Sequence, residues 1–200
     1  MKTRKTNRKS QLGATFTSDY IDYEKASLKG NELLWSQRQS VIGFYIIFSI
    51  NTGLRVSDVL ARKHSELAPL RTGDYLRVEE HKTKKYRDIQ INGKIIEAYR
   101  CFSNKNRHLP DDYIFRSRQG TVYAIESLNT ILKKVFLGYA EHVSTHSLRK
   151  SFGRHVYDIN NQSEHSLMAL SEMFQHSSMS ITRKYLGIRR EELGNIYMNL

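Results

Sequence analysis

Apolar residues recur along the chain in two periods, and the switch between them marks helical blocks on either side of one short hairpin. From Trp35 to Asn51 apolar side chains lie nearly all round a helix, the pattern of a segment buried on every side. Thr52-Gly53 ends that helix, because glycine tolerates the left-handed turn. A second helix starts close to Arg55, with Val56, Val59 and Leu60 at i, i+3 and i+4, which leaves Arg55 and Asp58 on a different face. Upstream, Ser18 caps a short helix through Lys29 that Gly30 ends. Tyr75 to Glu80 and Tyr86 to Ile91 instead alternate with the strand period, Leu76 and Val78 being answered by Ile89 and Ile91. The loop between them is His81-Lys82-Thr83-Lys84-Lys85.

Asn92-Gly93 closes the hairpin and a helix follows over Lys94 to Phe102, then a short strand at Tyr113 to Phe115. Five more helices are expected, over Ile125–Phe136, Ser147–Asp158, Ser163–Phe174, Ser180–Leu186 and Arg190–Tyr197, separated by short polar or glycine-containing breaks. The fold class is therefore mainly α with a small antiparallel β-sheet. At 200 residues the chain fits one large domain with a core that needs no staples, and 39% hydrophobic residues suffice to build it. The division expected is a flexible basic arm over 1–15 and a folded domain over 16–200.

Charge narrows the partner. Lys and Arg number 32 against 20 Asp and Glu, a formal +12, and Lys2, Arg4, Lys5, Arg8 and Lys9 in the arm supply five of those charges. Such an excess points to a polyanion, with nucleic acid ahead of an anionic membrane because no basic amphipathic helix stands out. The apolar run Val41–Ile50, interrupted by Gly43 and Ser49, is too short to span a bilayer, and no apolar run follows the N-terminal charges as in a secretory signal. The single cysteine, Cys101, excludes an internal disulfide framework and a thiolate-rich zinc module and fits a reducing compartment. The expected location is cytoplasmic, with no metal and no cofactor.

Four spots carry candidate chemistry. His146 and Arg149, in Thr145-His146-Ser147-Leu148-Arg149, place a titratable base and a fixed cation on one helical face. Gln175-His176-Ser177-Ser178 precedes Tyr185; Arg55 lies just past a tight turn, three residues before Asp58; Lys82-Thr83 sits at the hairpin tip. Taken singly, each has an ordinary reading as an ion pair, a packed aromatic or a solvated loop. Their order and company are more specific: a turn-borne arginine, a hairpin lysine, His-x-x-Arg, then a histidine followed by a tyrosine. From about Trp35 to Leu186 this pattern resembles the catalytic domain of the tyrosine recombinases, the phage integrase family.

The resemblance implies site-specific recombination of DNA by metal-independent strand cleavage and rejoining through a 3′-phosphotyrosine. Arg55 and Arg149 would clamp the non-bridging phosphate oxygens, the task a metal ion performs elsewhere. Tyr185 would be the nucleophile, since a phenolate is a better leaving group than an alkoxide and keeps the ester reversible. Lys82, with Lys84 as the fallback, would protonate the departing 5′-oxygen; His146 would take the tyrosine proton or tune its acidity. His176 would hydrogen-bond the phosphate or leaving group, and Asp58 would support the site. Lys84, Lys85 and the five arm cations would contact DNA.

Two residues depart from the family pattern, Gln175 where a glycine is common before the late histidine and Lys150 where a histidine often follows the second arginine. Only thirty-four residues precede Trp35, too few for the core-binding domain that usually comes first, which leaves three readings open: a chain that resembles the short single-domain invertases, a catalytic fragment, or a decayed mobile-element remnant. The resemblance further implies a monomer in solution, a homotetramer on double-stranded DNA, and accessory DNA-bending proteins as possible partners. The rival readings are a DNA-binding protein that keeps the fold without the activity, and a metal-dependent nuclease built on Asp74, Glu80 and Lys82.

Overall fold

The computed structural model of the chain describes residues 18–200, and the side chains of these except 189–193. The arm residues Lys2, Arg4, Lys5, Arg8 and Lys9 lie outside the described residues. Among the described residues the chain forms α1 (Tyr23–Trp35), α2 (Ser40–Thr52), α3 (Val56–Leu60), α4 (His64–Leu67), β1 (Tyr75–Glu79), β2 (Tyr86–Gln90), α5 (Gly93–Lys105), α6 (Ile125–Val135), α7 (Thr145–Ile159), α8 (Glu164–Phe174), α9 (Met179–Leu186) and α10 (Ile188–Met198). The expected architecture, mainly helical with one small antiparallel sheet, is the one observed.

Five helix starts follow the capping rule. Asp22, Asn92, Ser144, Ser163 and Ser178 each accept a backbone N–H from the first turn of α1, α5, α7, α8 and α9. That rule corrects the N-terminal expectation: α1 is capped at Asp22 rather than Ser18 and runs through Gly30 to Trp35. Gly30 does not stop a helix. It faces Gly43 of α2 at a crossing so close that a Cβ on Gly43 would lie 2.3 Å from the Leu34 nitrogen and 2.6 Å from the Gly30 carbonyl oxygen. Trp35 is likewise not the start of the buried helix; it ends α1, is 70% exposed, and carries the Lys105 ammonium 4.1 Å from its ring centroid.

α2 is the buried spine, with nearly every residue inside, and Gly53 ends it at φ 60. Phe44 of α2 stacks on Phe102 of α5 and on Phe115, at centroid separations of 5.4 and 5.6 Å. The strand expected at Tyr113–Phe115 is a single bridge from Tyr113 to Lys63, after which Ile114 and Phe115 enter the core. In the hairpin Leu76 pairs with Ile89 as expected, but Val78 pairs with Arg87 and not with an isoleucine. A second, smaller core of Tyr157, Leu167, Leu170, Phe174, Leu186 and Ile188 joins α8 and α9 to the outer face of α7. In α10 Ile188 belongs to that core, whereas Ile196 and Tyr197 are exposed, as is Leu200 beyond the helix.

Candidate active site

The seam between the two cores gathers the candidate residues. α2 ends at Gly53, so the chain turns and places Arg55 in extended conformation as the residue before α3. α7 brings Arg149, 4% exposed, from the other side. Between them stands the end of α8, where Gln175 adopts the left-handed conformation, φ 54 and ψ 45. That turn directs the Phe174 carbonyl oxygen into the seam, where it accepts from Arg55 Nη2 at 3.0 Å and from Arg149 Nη2 at 3.2 Å. Arg149 Nη1 donates to the Gly53 carbonyl at 2.5 Å, and its guanidinium lies 4.3 Å from the Phe174 ring centroid. Burial lowers the Arg149 pKa to about 10, so it stays charged at neutral pH.

Tyr185 reaches the same place from α9. Its ring meets Phe174 edge-on at 5.6 Å and His176 at 5.4 Å, and the Lys150 ammonium lies 5.2 Å from its centroid. The hydroxyl is buried with no hydrogen bond of normal geometry. Burial pushes its pKa up to about 12, against the opposing pull of Arg149 and Arg55. His176 shares a hydrogen bond between Nδ1 and Thr182 Oγ1 at 2.9 Å. Burial, then the Arg149, Arg55 and Lys82 charges, bring its pKa down to about 4. His146 is exposed in the first turn of α7, its pKa lowered by partial desolvation and by Arg149, Lys150, Arg55 and Lys82.

Lys82, Lys84 and Lys85 are exposed on the hairpin loop, which Lys84 turns at φ 56 with its N–H donating to the Glu80 carbonyl at 2.8 Å. Asp58, fully buried, accepts the His81 N–H at 2.8 Å and so ties α3 to that loop. Lys150 donates to the Ser18 carbonyl at 2.6 Å, holding the segment before α1 against α7.

Sequence reasoning did not place Glu80 or Arg87 beside these residues. Glu80 is fully buried; Oε2 accepts from Arg55 Nη1 and from Thr83 Oγ1, the latter at 3.2 Å. Arg87 Nη1 lies 3.9 Å from Glu80 Oε1, and Arg87 Nη2 donates to the Thr52 carbonyl at 2.9 Å. The signal was available in the strand period: Glu80 is in phase with Leu76 and Val78, and a carboxylate on an inward face needs a cation. The nuclease grouping does not form. Asp74 and Glu80 flank opposite ends of β1, Asp74 accepts the Arg71 N–H, and Glu80 is paired with Arg55.

The helical domain and its arginine–tyrosine seam define the fold of a tyrosine recombinase catalytic domain. The same fold is found in XerH site-specific recombinase bound to palindromic difH substrate, with TM-score 0.70 and 19% identity over 94% of this chain and 56% of that one. It is found also in XerA recombinase, with TM-score 0.65 and 17% identity over 93% and 66%. The chain belongs to the phage integrase family, whose sequence profile matches residues 36–192. Among curated relatives it is 31% identical to the probable integrase/recombinase YoeC of Bacillus subtilis, covering 72% of this chain and 76% of YoeC. With the tyrosine recombinase XerC of Nitrobacter winogradskyi identity is 25%, over 87% of this chain and 53% of that protein. The chain thus spans about half the length of the XerC relative.

Proposed function

We propose that the chain is a site-specific DNA recombinase that cuts and rejoins strands through Tyr185. The observation that carries this reading is the convergence of Arg55 and Arg149 on one carbonyl oxygen beside the Tyr185 ring. A scissile phosphate seated at that edge would meet donors from two guanidiniums, which stabilise the charge that grows on its non-bridging oxygens. The Tyr185 oxygen forms a bond to phosphorus and gives up its proton, with His146 as acceptor. The bond from phosphorus to the 5′-oxygen breaks, and Lys82 supplies that oxygen's proton. His176, neutral near pH 7, donates a hydrogen bond to the phosphate. Rejoining reverses these steps from the 3′-phosphotyrosine, so no external energy source is consumed.

The basic loop Lys82, Lys84 and Lys85 and the arm cations Lys2, Arg4, Lys5, Arg8 and Lys9 attract the phosphate backbone. Double-stranded DNA is the partner, and exchange of strands between two duplexes calls for four active sites, hence a homotetramer on DNA assembled from monomers. Among the described residues no helix is long and apolar enough to cross a membrane; a DNA-associated location in the cytoplasm belongs to this reading. On a nicked duplex made from the DNA flanking the chain's own gene, in EDTA, a covalent protein–DNA adduct is expected that Tyr185→Phe abolishes. Absence of the adduct on its cognate site overturns the reading. Binding without cleavage, changed only in affinity by Arg149→Ala, identifies instead a DNA-binding protein that keeps the fold alone.

A further inference from the structure

We propose that Glu80 is a positioning residue of this site, one that offsets and aims Arg55 before the phosphate arrives and ties the Lys82 loop to the same arginine. The proposal rests on the roles given to Arg55 and Lys82 above. Strand alternation sends the Glu80 side chain inward with Leu76 and Val78, so its carboxylate is fully buried beneath the hairpin. One oxygen serves two groups: Oε2 accepts from Arg55 Nη1 and from Thr83 Oγ1 at 3.2 Å, and Thr83 adjoins Lys82. The other oxygen makes no hydrogen bond and lies 3.9 Å from Arg87 Nη1. Arg87 in turn holds the Thr52 carbonyl, next to the Gly53 carbonyl that receives Arg149. Through this one carboxylate the hairpin is registered on the arginine pair.

The ion pair is asymmetric, and the asymmetry separates positioning from simple structural pairing. The Arg55 side chain keeps 20% of its surface exposed while that of Glu80 keeps none, so an incoming phosphate meets the cation and not the anion. Arg55 has donors on Nη1 and Nη2 engaged by Glu80 and by Phe174, and a guanidinium carries five N–H groups in all, so capacity remains for the phosphate. Without Glu80 the buried Asp58 would be left as the carboxylate facing the cations Arg55, Arg87 and Arg149. The Glu80 carboxylate relieves the repulsion among them, and its negative charge opposes DNA binding to the extent that it opposes Arg55.

Two effects of opposite sign follow. In Glu80→Gln, which keeps the shape, the plot of log affinity against log salt on the nicked duplex from the gene-flanking DNA should steepen by about 0.9, one more phosphate charge neutralised. Adduct formation in a single turnover should slow by about tenfold or more, because Arg55 is held less firmly. Loss of fold alone would weaken binding and cleavage together. A salt slope equal to or shallower than that of the unaltered protein overturns the proposal, as does an unaltered adduct rate. Thr83→Val, which keeps the charge and cuts the loop tie together with the longer contact from the Lys85 N–H to Thr83 Oγ1 at 3.4 Å, should leave affinity within about twofold and slow the adduct; an unaltered rate overturns the tie. If the unaltered protein forms no adduct on its cognate site, the recombinase reading fails while the salt slope still decides whether Glu80 offsets Arg55.

Discussion

Arg55 and Arg149 donate to the same acceptor, the Phe174 carbonyl oxygen, although they come from opposite sides of the seam between the two cores. A shared acceptor fixes the two guanidiniums relative to each other with no phosphate present, the preorganisation that makes an electrostatic site effective. Arg149→Lys keeps the charge but cannot reach Gly53 and Phe174 together, as the planar fork does. The single-turnover rate of adduct formation should fall by about 10²- to 10³-fold, with DNA affinity little changed. A rate within a few-fold of the unaltered protein would show that the shared geometry is dispensable.

The turn that aims this carbonyl is strained. Gln175 holds φ 54, a conformation that costs a residue with a Cβ about 1–2 kcal/mol and costs glycine almost nothing. Its Oε1 is buried without a hydrogen-bond partner, so removing the side chain forfeits no polar contact at that atom. Part of the gain is lost to the greater freedom of glycine in the unfolded chain. Gln175→Gly should therefore stabilise the protein by about 0.5–1 kcal/mol, measured by urea unfolding, with His176 still oriented. Destabilisation would mean that Gln175 packs in a way that outweighs its backbone strain.

How far the sequence could be read follows from the range of each signal. The hairpin and the body of α2 rest on local periodicity and were legible, as was the Gly53 stop, whereas the start of α2 at Ser40 and the pairing of Val78 with Arg87 were not. α4, a single turn from His64 to Leu67, is too short for periodicity to register. Gly30 reads as a stop in one dimension because its partner, Gly43, sits on another helix. The candidate residues were found by type and order, but their assembly was not: Arg55 meets Glu80 across a separation of 25 residues and Arg149 meets Gly53 across 96, contacts that no local pattern encodes. Gln175 is the instructive middle case. A departure from glycine suggests an altered backbone, yet the structure keeps the left-handed turn and accepts the strain.

The α1–α2 crossing makes a contrast between two glycines. A Cβ on Gly43 would fall within 2.7 Å of three backbone atoms of α1, and backbone cannot move aside as a flexible side chain does. A Cβ on Gly93, at the start of α5, would meet only Thr72 Oγ1 at 3.7 Å. Gly43→Ala should cost about 3 kcal/mol or more, whereas Gly93→Ala should be neutral or slightly stabilising through helix propensity. Thermal unfolding of the two variants side by side checks this. Equal effects would mean that the helices can separate at no cost.

Acid should loosen the fold through its desolvated histidines. His64, buried against Tyr99 and stacked on His108 at 3.6 Å, has its pKa lowered to about 4 by desolvation and then by the His108 charge. His176 is lowered to about 4 as well, and His146 and His155 move the same way. For a histidine whose folded pKa lies below its unfolded value near 6.5, the unfolded chain binds more protons throughout the interval. Stability is then fully present above about pH 6.5 and is lost as the pH falls toward about 4. The melting temperature should drop over that window, and less steeply in His64→Gln, which keeps a polar partner for Tyr99 but does not titrate. A drop of the same steepness in that variant would assign the acid sensitivity to other groups. Because His176 stays neutral above about pH 4, its titration should leave no inflection in the cleavage rate between pH 5 and 7. An inflection there that His176→Asn removes would place a proton on His176 in the reacting complex.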